Sequence, residues 1–193
     1  MAQLMFFDQD HRYELDGVVL PSVSEIIRFM SREAYGNVQQ WTLDNAAGRG
    51  TRVHKATQAI DTFGTVECED DIAPYVQAYV AFLKDYHPEW TDVERATHNA
   101  ELGYAGTIDR AGILDGQRVI VDIKAQESIK RPLVTAQLNG YALMKPCEAL
   151  KCLQLTRNGK YKLHDIDINT ETFLSCLALH NAMKTKKRRA TNE

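Results

Sequence analysis

An acid and a base stand two residues apart inside an apolar run of the sequence. The segment RVIVDIKAQ, residues 118–126, carries Asp122 and Lys124 among the valines and isoleucines of a buried β-strand. Side chains alternate across a strand, so these two charges share a face, about 7 Å apart along the strand. Val121 and Ile123 then face a core. The alternative is an exposed ion pair on a half-buried hairpin.

The preceding strand supplies a second acid. Residues 115–116 are Asp-Gly, a hairpin turn signal. A two-residue turn there pairs Leu114 with Gln117 and sets Asp109 opposite Asp122, with Cβ atoms about 5 Å apart. Two facing carboxylates repel each other, and a divalent cation between them removes that repulsion. Carboxylate oxygens suit Mg²⁺ or Mn²⁺.

The third charge completes a reactive arrangement. Lys124 lies beside the expected cation, where an amine can orient or deprotonate a water and stabilise a developing negative charge. Together the three residues fit metal-assisted hydrolysis of a phosphate ester.

These residues belong to three segments that, in this order, resemble the PD-(D/E)XK nuclease superfamily, in particular its RecB-like and phage exonuclease branch. The segments are GYAGTIDR, VIVDIKA and QLNGY, residues 103–110, 119–125 and 137–141. Upstream, GRGTRVH and LDGVVLPSVSEII are also similar to members of that branch. The resemblance covers most of residues 11–145.

The resemblance implies a role for each matching residue. The metal ligands would be His54, Asp109, Asp122 and the backbone carbonyl of Ile123. Lys124 would position the attacking water, and Gln137 and Tyr141 would line the site.

Two of these assignments have structural alternatives. Gln137 and Tyr141 are four residues apart on a predicted helix, so they share a face that could equally be a core stripe. Glu94, on the strand before Asp109, is either a further acid of the site or an exposed strand residue.

The element order predicts an α/β fold, a central mixed β-sheet flanked by helices, with a restriction-endonuclease-like core. A hairpin turns at 16–17, and an S-x-x-E capping box starts a helix near Val23. Further helices are expected at about 51–63, 72–86, 132–145 and 170–187, strands between 92 and 124, and a second hairpin at 158–159.

We expect one nuclease domain over residues 1–193. Its N-terminal hairpin and helices would occupy 1–90, its catalytic core 91–168, and a C-terminal helix with a basic tail 169–193. That tail carries cations that could touch phosphate or simply be solvated: Lys184, Lys186, Lys187, Arg188 and Arg189.

Composition excludes several other classes of protein. No apolar run approaches the ~20 residues of a membrane span, and the N-terminus does not resemble a secretory signal. A cytoplasmic location is expected, in the host if the protein is phage-encoded. The four cysteines form no C-x-x-C pair and lack tight spacing, so a zinc site or an iron–sulfur cluster is not expected.

The sequence therefore predicts a Mg²⁺- or Mn²⁺-dependent deoxyribonuclease, an exonuclease of DNA recombination or repair. Its partners would be DNA, as double-stranded ends or a single strand, and a recombination or annealing protein or further copies of itself. Two alternatives stay open: a structure-selective endonuclease using the same site, and a non-catalytic subunit that docks DNA or protein. The complete Asp, Asp and Lys set favours catalysis, because a degenerate member would be expected to lose a charge.

Overall fold

A computed structural model describes residues 3–190 of the chain, with side chains through 184. The strands are β1 Leu4–Phe7, β2 Arg12–Leu15, β3 Val18–Leu20, β4 Glu89–Asn99, β5 Tyr104–Leu114, β6 Gln117–Ala125, β7 Ala149–Leu155 and β8 Tyr161–Ile166. The helices are α1 Val23–Ile26, α2 Arg28–Tyr35, α3 Gln40–Phe63, α4 Ala73–Tyr86, α5 Arg131–Ala142 and α6 Glu171–Ala190.

A five-stranded mixed sheet forms the centre, in the order β4-β5-β6-β7-β8. Only β6 and β7 run parallel, since α5 connects them as a crossover, and the other neighbours are antiparallel. One apolar core joins α1, α5 and α6 to one face of the sheet, and a second joins α3 and α4 to the other. The predicted fold class, a mixed α/β sheet flanked by helices, is confirmed.

The central hairpin has the predicted register. Leu114 pairs with Gln117, and the ladder continues to Arg110 opposite Val121. The turn residues Asp115 and Gly116 both have positive φ, 50° and 76°, which the Asp-Gly pair tolerates in a tight hairpin. The predicted alternation also holds, because Val121 and Ile123 both pack into the core beneath α3 and α4.

Some element boundaries agree with those predicted from the sequence, and others differ. Ser22 Oγ accepts the backbone N–H of Glu25 at 3.0 Å, so the predicted cap starts α1. In contrast, α3 begins at Gln40 rather than near Thr51, because two glycines at about 1 kcal/mol each do not suffice to interrupt it. The short strand β1 was not predicted, and it pairs with β2 in a separate three-stranded sheet with β3.

No helix within residues 3–190 is both long and apolar enough to cross a membrane. Lys184 is exposed on α6. The remaining cations of the predicted basic tail, between 186 and 189, have side chains outside the part of the chain that the structure describes.

Candidate active site

The central hairpin opens at the point where the two predicted acids lie. The β5–β6 ladder ends at Arg110 and Val121, one residue before Asp109 and Asp122 would pair. There the Asp109 carboxylate accepts the backbone N–H of Ile123 through Oδ2 at 2.7 Å. A side chain thus takes the place of a strand partner, and the gap between the strands accommodates buried acids.

A histidine from the neighbouring helix enters this gap. His54 Nδ1 lies 3.0 Å from Glu94 Oε1 and 3.7 Å from Asp109 Oδ1, and its Nε2 lies 3.1 Å from the carbonyl oxygen of Ile123. Ligand atoms of His54, Glu94 and Asp109 all lie within 4.8 Å of one another. Three donors at that separation could hold a metal ion.

Among the side chains of this cluster, Glu94 stands where the predicted ligand set had Asp122. Glu94 from β4 belongs to the cluster, whereas the sequence left Glu94 open between a site acid and an exposed residue. Asp122 is instead engaged by Lys124, whose Nζ lies 3.0 Å from Oδ1 and 2.8 Å from Oδ2. The sequence signal for Glu94 was weak because a strand glutamate is ordinarily a surface residue.

The other predicted residues continue from Lys124 as a chain of hydrogen bonds. Lys124 Nζ donates to Gln137 Oε1 at 3.0 Å, and Gln137 Nε2 donates to the Tyr141 hydroxyl at 3.2 Å. One face of α5 therefore meets the charged face of β6. The alternative of a purely apolar stripe does not describe Gln137, whose amide binds charged and hydroxyl groups.

A glycine on β5 makes room for the tyrosine. A Cβ at Gly106 would lie 2.9 Å from Tyr141 Cε1 and 3.2 Å from Val23 Cγ2. Any larger residue would push the ring away from the strand. The close approach of α5 to β5 at this point therefore depends on Gly106.

Behind the cluster lies a buried arginine that sequence reasoning did not single out. Arg110 is 0% exposed and its Nη1 donates to Glu94 Oε1 at 3.0 Å. Its Nε donates to Asp61 Oδ2 at 2.6 Å, and its Nη2 to Thr57 Oγ1 at 3.0 Å. The guanidinium thus ties Glu94 to α3. The only sequence signal was its place directly after Asp109.

The backbone of Glu94 is also unusual. Its φ of 46° lies in the left-handed region, which a glutamate within a strand rarely adopts. Such a conformation costs on the order of 1–3 kcal/mol and persists where surrounding contacts hold it. The contacts to Arg110 and His54 are the ones that hold the carboxylate here.

Burial and charge shift the pKa values of the cluster. Burial lowers the pKa of His54, but the Asp109 and Glu94 carboxylates outweigh it and raise the pKa to about 9. Burial, with the nearby Asp109 charge, raises the pKa of Asp122 to about 6 although Lys124 opposes the shift. His54 is therefore an imidazolium at neutral pH, and its positive charge offsets the acids around it.

Lys124 also remains charged. Burial lowers the pKa of its ammonium, but the Asp122 and Asp109 carboxylates outweigh burial and leave that pKa above its usual value. The lysine is consequently a positive charge and a hydrogen-bond donor at neutral pH. Burial likewise raises the pKa of Tyr141, so its phenol stays neutral.

All seven predicted site residues line one cleft of about 930 Å³. They are His54, Asp109, Asp122, Ile123, Lys124, Gln137 and Tyr141. The opposite wall comes from the small sheet and the first half of α3, including Phe6, Tyr13 and Leu43. Asp109 and Asp122 therefore line the same cleft.

Comparisons with known proteins give low structural similarity only. No family model matches the chain, and no curated protein matches it. The alkaline exonuclease LHK-Exo from Laribacter hongkongensis has a TM-score of 0.44 and 14% identity over 72% of this chain and 84% of its own. Its complex with dAMP also has a TM-score of 0.44 and 14% identity, over 90% and 94%. For SSO0001 the TM-score is 0.35 and the identity 14%, over 81% and 82%. These values are too low to assign an activity to this chain.

Proposed function

We propose that this protein is a divalent-metal-dependent deoxyribonuclease of the PD-(D/E)XK type that acts as an exonuclease in DNA recombination or repair. One observation carries the proposal. The cluster of His54, Glu94 and Asp109 lies in the same cleft as the Asp122–Lys124 pair, at the opening between β5 and β6. Carboxylates, an imidazole and an ammonium at one point are suited to hydrolysis of a phosphodiester.

The donor set fits a hard divalent cation such as Mg²⁺ or Mn²⁺. Carboxylate oxygens of Glu94 and Asp109 with one ring nitrogen of His54 would hold it, and Asp122 would contribute after releasing Lys124. Asp122 supports this, because its buried Oδ2 makes no hydrogen bond of good geometry despite lying 2.8 Å from Lys124 Nζ. When bound, the cation would supply Lewis acidity toward the phosphate and a lowered pKa for a bound water.

The chain's own groups supply the remaining chemistry. Lys124, as an ammonium, donates hydrogen bonds that orient the attacking water and stabilise negative charge on the phosphate oxygens. Gln137 fixes the lysine through its amide oxygen, and Tyr141 fixes Gln137 in turn. Asp122 is 1% exposed, so bulk water is excluded from around its carboxylate.

Substrate and setting follow from the same proposal. DNA would enter the cleft as a strand end, from a duplex or a single strand. A recombination or annealing protein, or further copies of this chain, would be its protein partners. A cytoplasmic location and one nuclease domain over the whole chain complete the proposal.

Digestion of three DNA forms tests this proposal. Linear, nicked and closed-circular DNA are incubated with the protein in Mg²⁺, in Mn²⁺ and in EDTA. Degradation of linear DNA alone, only with metal, is the expected result for an exonuclease. Cutting of the closed circle would instead favour an endonuclease using the same residues. No cleavage of any form would contradict the proposal and favour a binding subunit.

A further inference from the structure

A second depression, of about 330 Å³, lies between α2 and α6 and shares no lining residue with the cleft. One wall has positions 25, 28, 29 and 32, of which Glu25 lies on α1 and the other three lie on one face of α2. Its α6 wall repeats that pattern at 176, 179, 180 and 183. Two parallel walls of side chains thus enclose a groove, which we call the α2–α6 groove.

Large apolar side chains are exposed in the α2–α6 groove. Phe29 is 65% exposed, Leu179 46% and Met183 58%. An isolated apolar residue on a surface is ordinary, but a cluster that lines a groove marks a contact surface. Methionine adds adaptability, because its unbranched side chain can repack against different partners.

The rim of this groove is positively charged. Arg28 and Arg32 are one turn apart on α2, and Lys184 lies at the α6 side. Among the side chains that the structure describes, none of these three is in an ion pair. Glu25 is the single acid among the lining residues that the structure describes, while the whole chain carries a net charge of −3. The groove is therefore a local reversal of the protein's overall charge.

We propose that the α2–α6 groove docks an acidic, amphipathic helical segment of a partner protein. Apolar residues of that segment, spaced three and four apart, would contact Phe29, Leu179 and Met183. Its carboxylates would pair with Arg28 and Arg32. The lining of α6 from 176 to 184 spans about 12 Å, which is the length of two to three helical turns.

Charge and polarity favour this occupant over two others. A symmetric dimer that pairs this groove with itself would bring the cationic rims of two copies together, which is unfavourable. A nucleic acid would satisfy those cations, but it would set Leu179 and Met183 against sugars and phosphates. An acidic amphipathic peptide can pair its carboxylates with the arginines and pack its apolar residues against Phe29, Leu179 and Met183.

Peptide display on the intact protein tests the docking proposal. Random peptides of about 12 residues, enough for three helical turns, are selected for binding to the full chain. The Arg28→Glu/Arg32→Glu double variant serves for counter-selection. We expect enriched peptides to combine several carboxylates with apolar residues three and four apart. One such peptide is then titrated by fluorescence anisotropy. Its affinity should fall by at least about tenfold for this double variant and for Met183→Asp. Lys84→Glu, an exposed change on α4, should leave binding unchanged.

Other results would overturn the proposal. The enriched peptides could be basic or uncharged, or could bind the double variant equally well. Either result would show that Arg28 and Arg32 do not contribute to peptide recognition. Displacement of the peptide by an oligonucleotide would make the groove a nucleic-acid surface, and a dimer dissolved by Met183→Asp would make it a self-association surface. Cleavage of linear DNA by the double variant should match that of the wild type. The peptide result therefore stands or fails independently of the nuclease proposal.

Discussion

The carboxylate of Asp109 accepts the backbone N–H of Ile123 at 2.7 Å, where the ladder between β5 and β6 has ended. This bond explains how two facing strands can separate without leaving a buried N–H unpaired. It also fixes one oxygen of Asp109, while the other lies 3.7 Å from His54 Nδ1. The same hydrogen bond thus pairs the N–H that the opening of the hairpin leaves free and fixes the position of the Asp109 carboxylate.

The pKa of His54 predicts opposite pH trends with and without metal. Because that pKa is raised to about 9, the imidazolium stabilises the metal-free fold fully below pH 6.5 and ceases to do so as pH rises through about 9. In EDTA, the Tm advantage of wild type over His54→Gln should therefore shrink across that range. Thermal denaturation at several pH values measures it.

Metal binding should follow the reverse course. A cation needs an unprotonated His54 nitrogen, so Mg²⁺ must displace a proton. Affinity measured by calorimetry should rise from pH 6.5 toward 9, with proton release that depends on the buffer. Deprotonation of Asp122, with a pKa raised to about 6, should add a further rise near that pH. Equal metal affinity at all pH values would show that His54 and Asp122 are not metal ligands.

Lys124→Ala should separate metal binding from turnover. In the proposed site the acids and the histidine would hold the cation, so Mn²⁺ affinity should stay within a few fold of wild type. The rate of DNA cleavage should fall by about 100-fold or more, the loss typical when one donor that stabilises transition-state charge is removed. Lys84→Ala, at an exposed position on α4, is the matched control and should cleave normally. Wild-type turnover in Lys124→Ala would mean that the lysine is only a structural charge.

Asp122→Asn should separate DNA binding from cleavage. Without metal, the two aspartates present negative charge where the scissile phosphate would lie, and this change removes one charge while keeping the shape. The variant should lose cleavage in Mg²⁺, yet bind DNA at least as well as wild type in EDTA. Anisotropy at two salt concentrations measures binding, which should weaken with salt in both proteins because phosphate contacts release counterions. Cleavage at the wild-type rate would refute the proposed site.

Arg110→Met should be strongly destabilising. The change leaves the buried Asp61 carboxylate without its cation and leaves Glu94 with His54 alone, and loss of one partner of a buried ion pair costs about 3–5 kcal/mol. Urea unfolding measures this cost. Arg118→Met, which breaks the exposed pair with Glu148, should cost at most about 1 kcal/mol. Similar costs for both variants would contradict a role for Arg110 in holding Glu94.

The sequence alone determined the features that depend on local pattern. Alternation of charged and apolar residues gave the two faces of β6, and the Asp-Gly turn gave the register that brings Asp109 toward Asp122. Spacing of four along a helix put Gln137 and Tyr141 on one side of α5. Each of these inferences uses only neighbours within a hairpin or a helical turn.

Tertiary structure alone decided the features that join distant segments. Glu94 enters the cluster because its backbone adopts φ of 46° and because Arg110, buried against α3, holds its carboxylate. Asp109 lies beyond the end of the β5–β6 ladder, and its carboxylate accepts the backbone N–H of Ile123, which the hairpin register does not predict. The small sheet and the first half of α3, which precede β4, β5 and β6 in the sequence, also line the cleft. Local propensity carries no information about such contacts, because their energy depends on elements that meet only after the chain has folded.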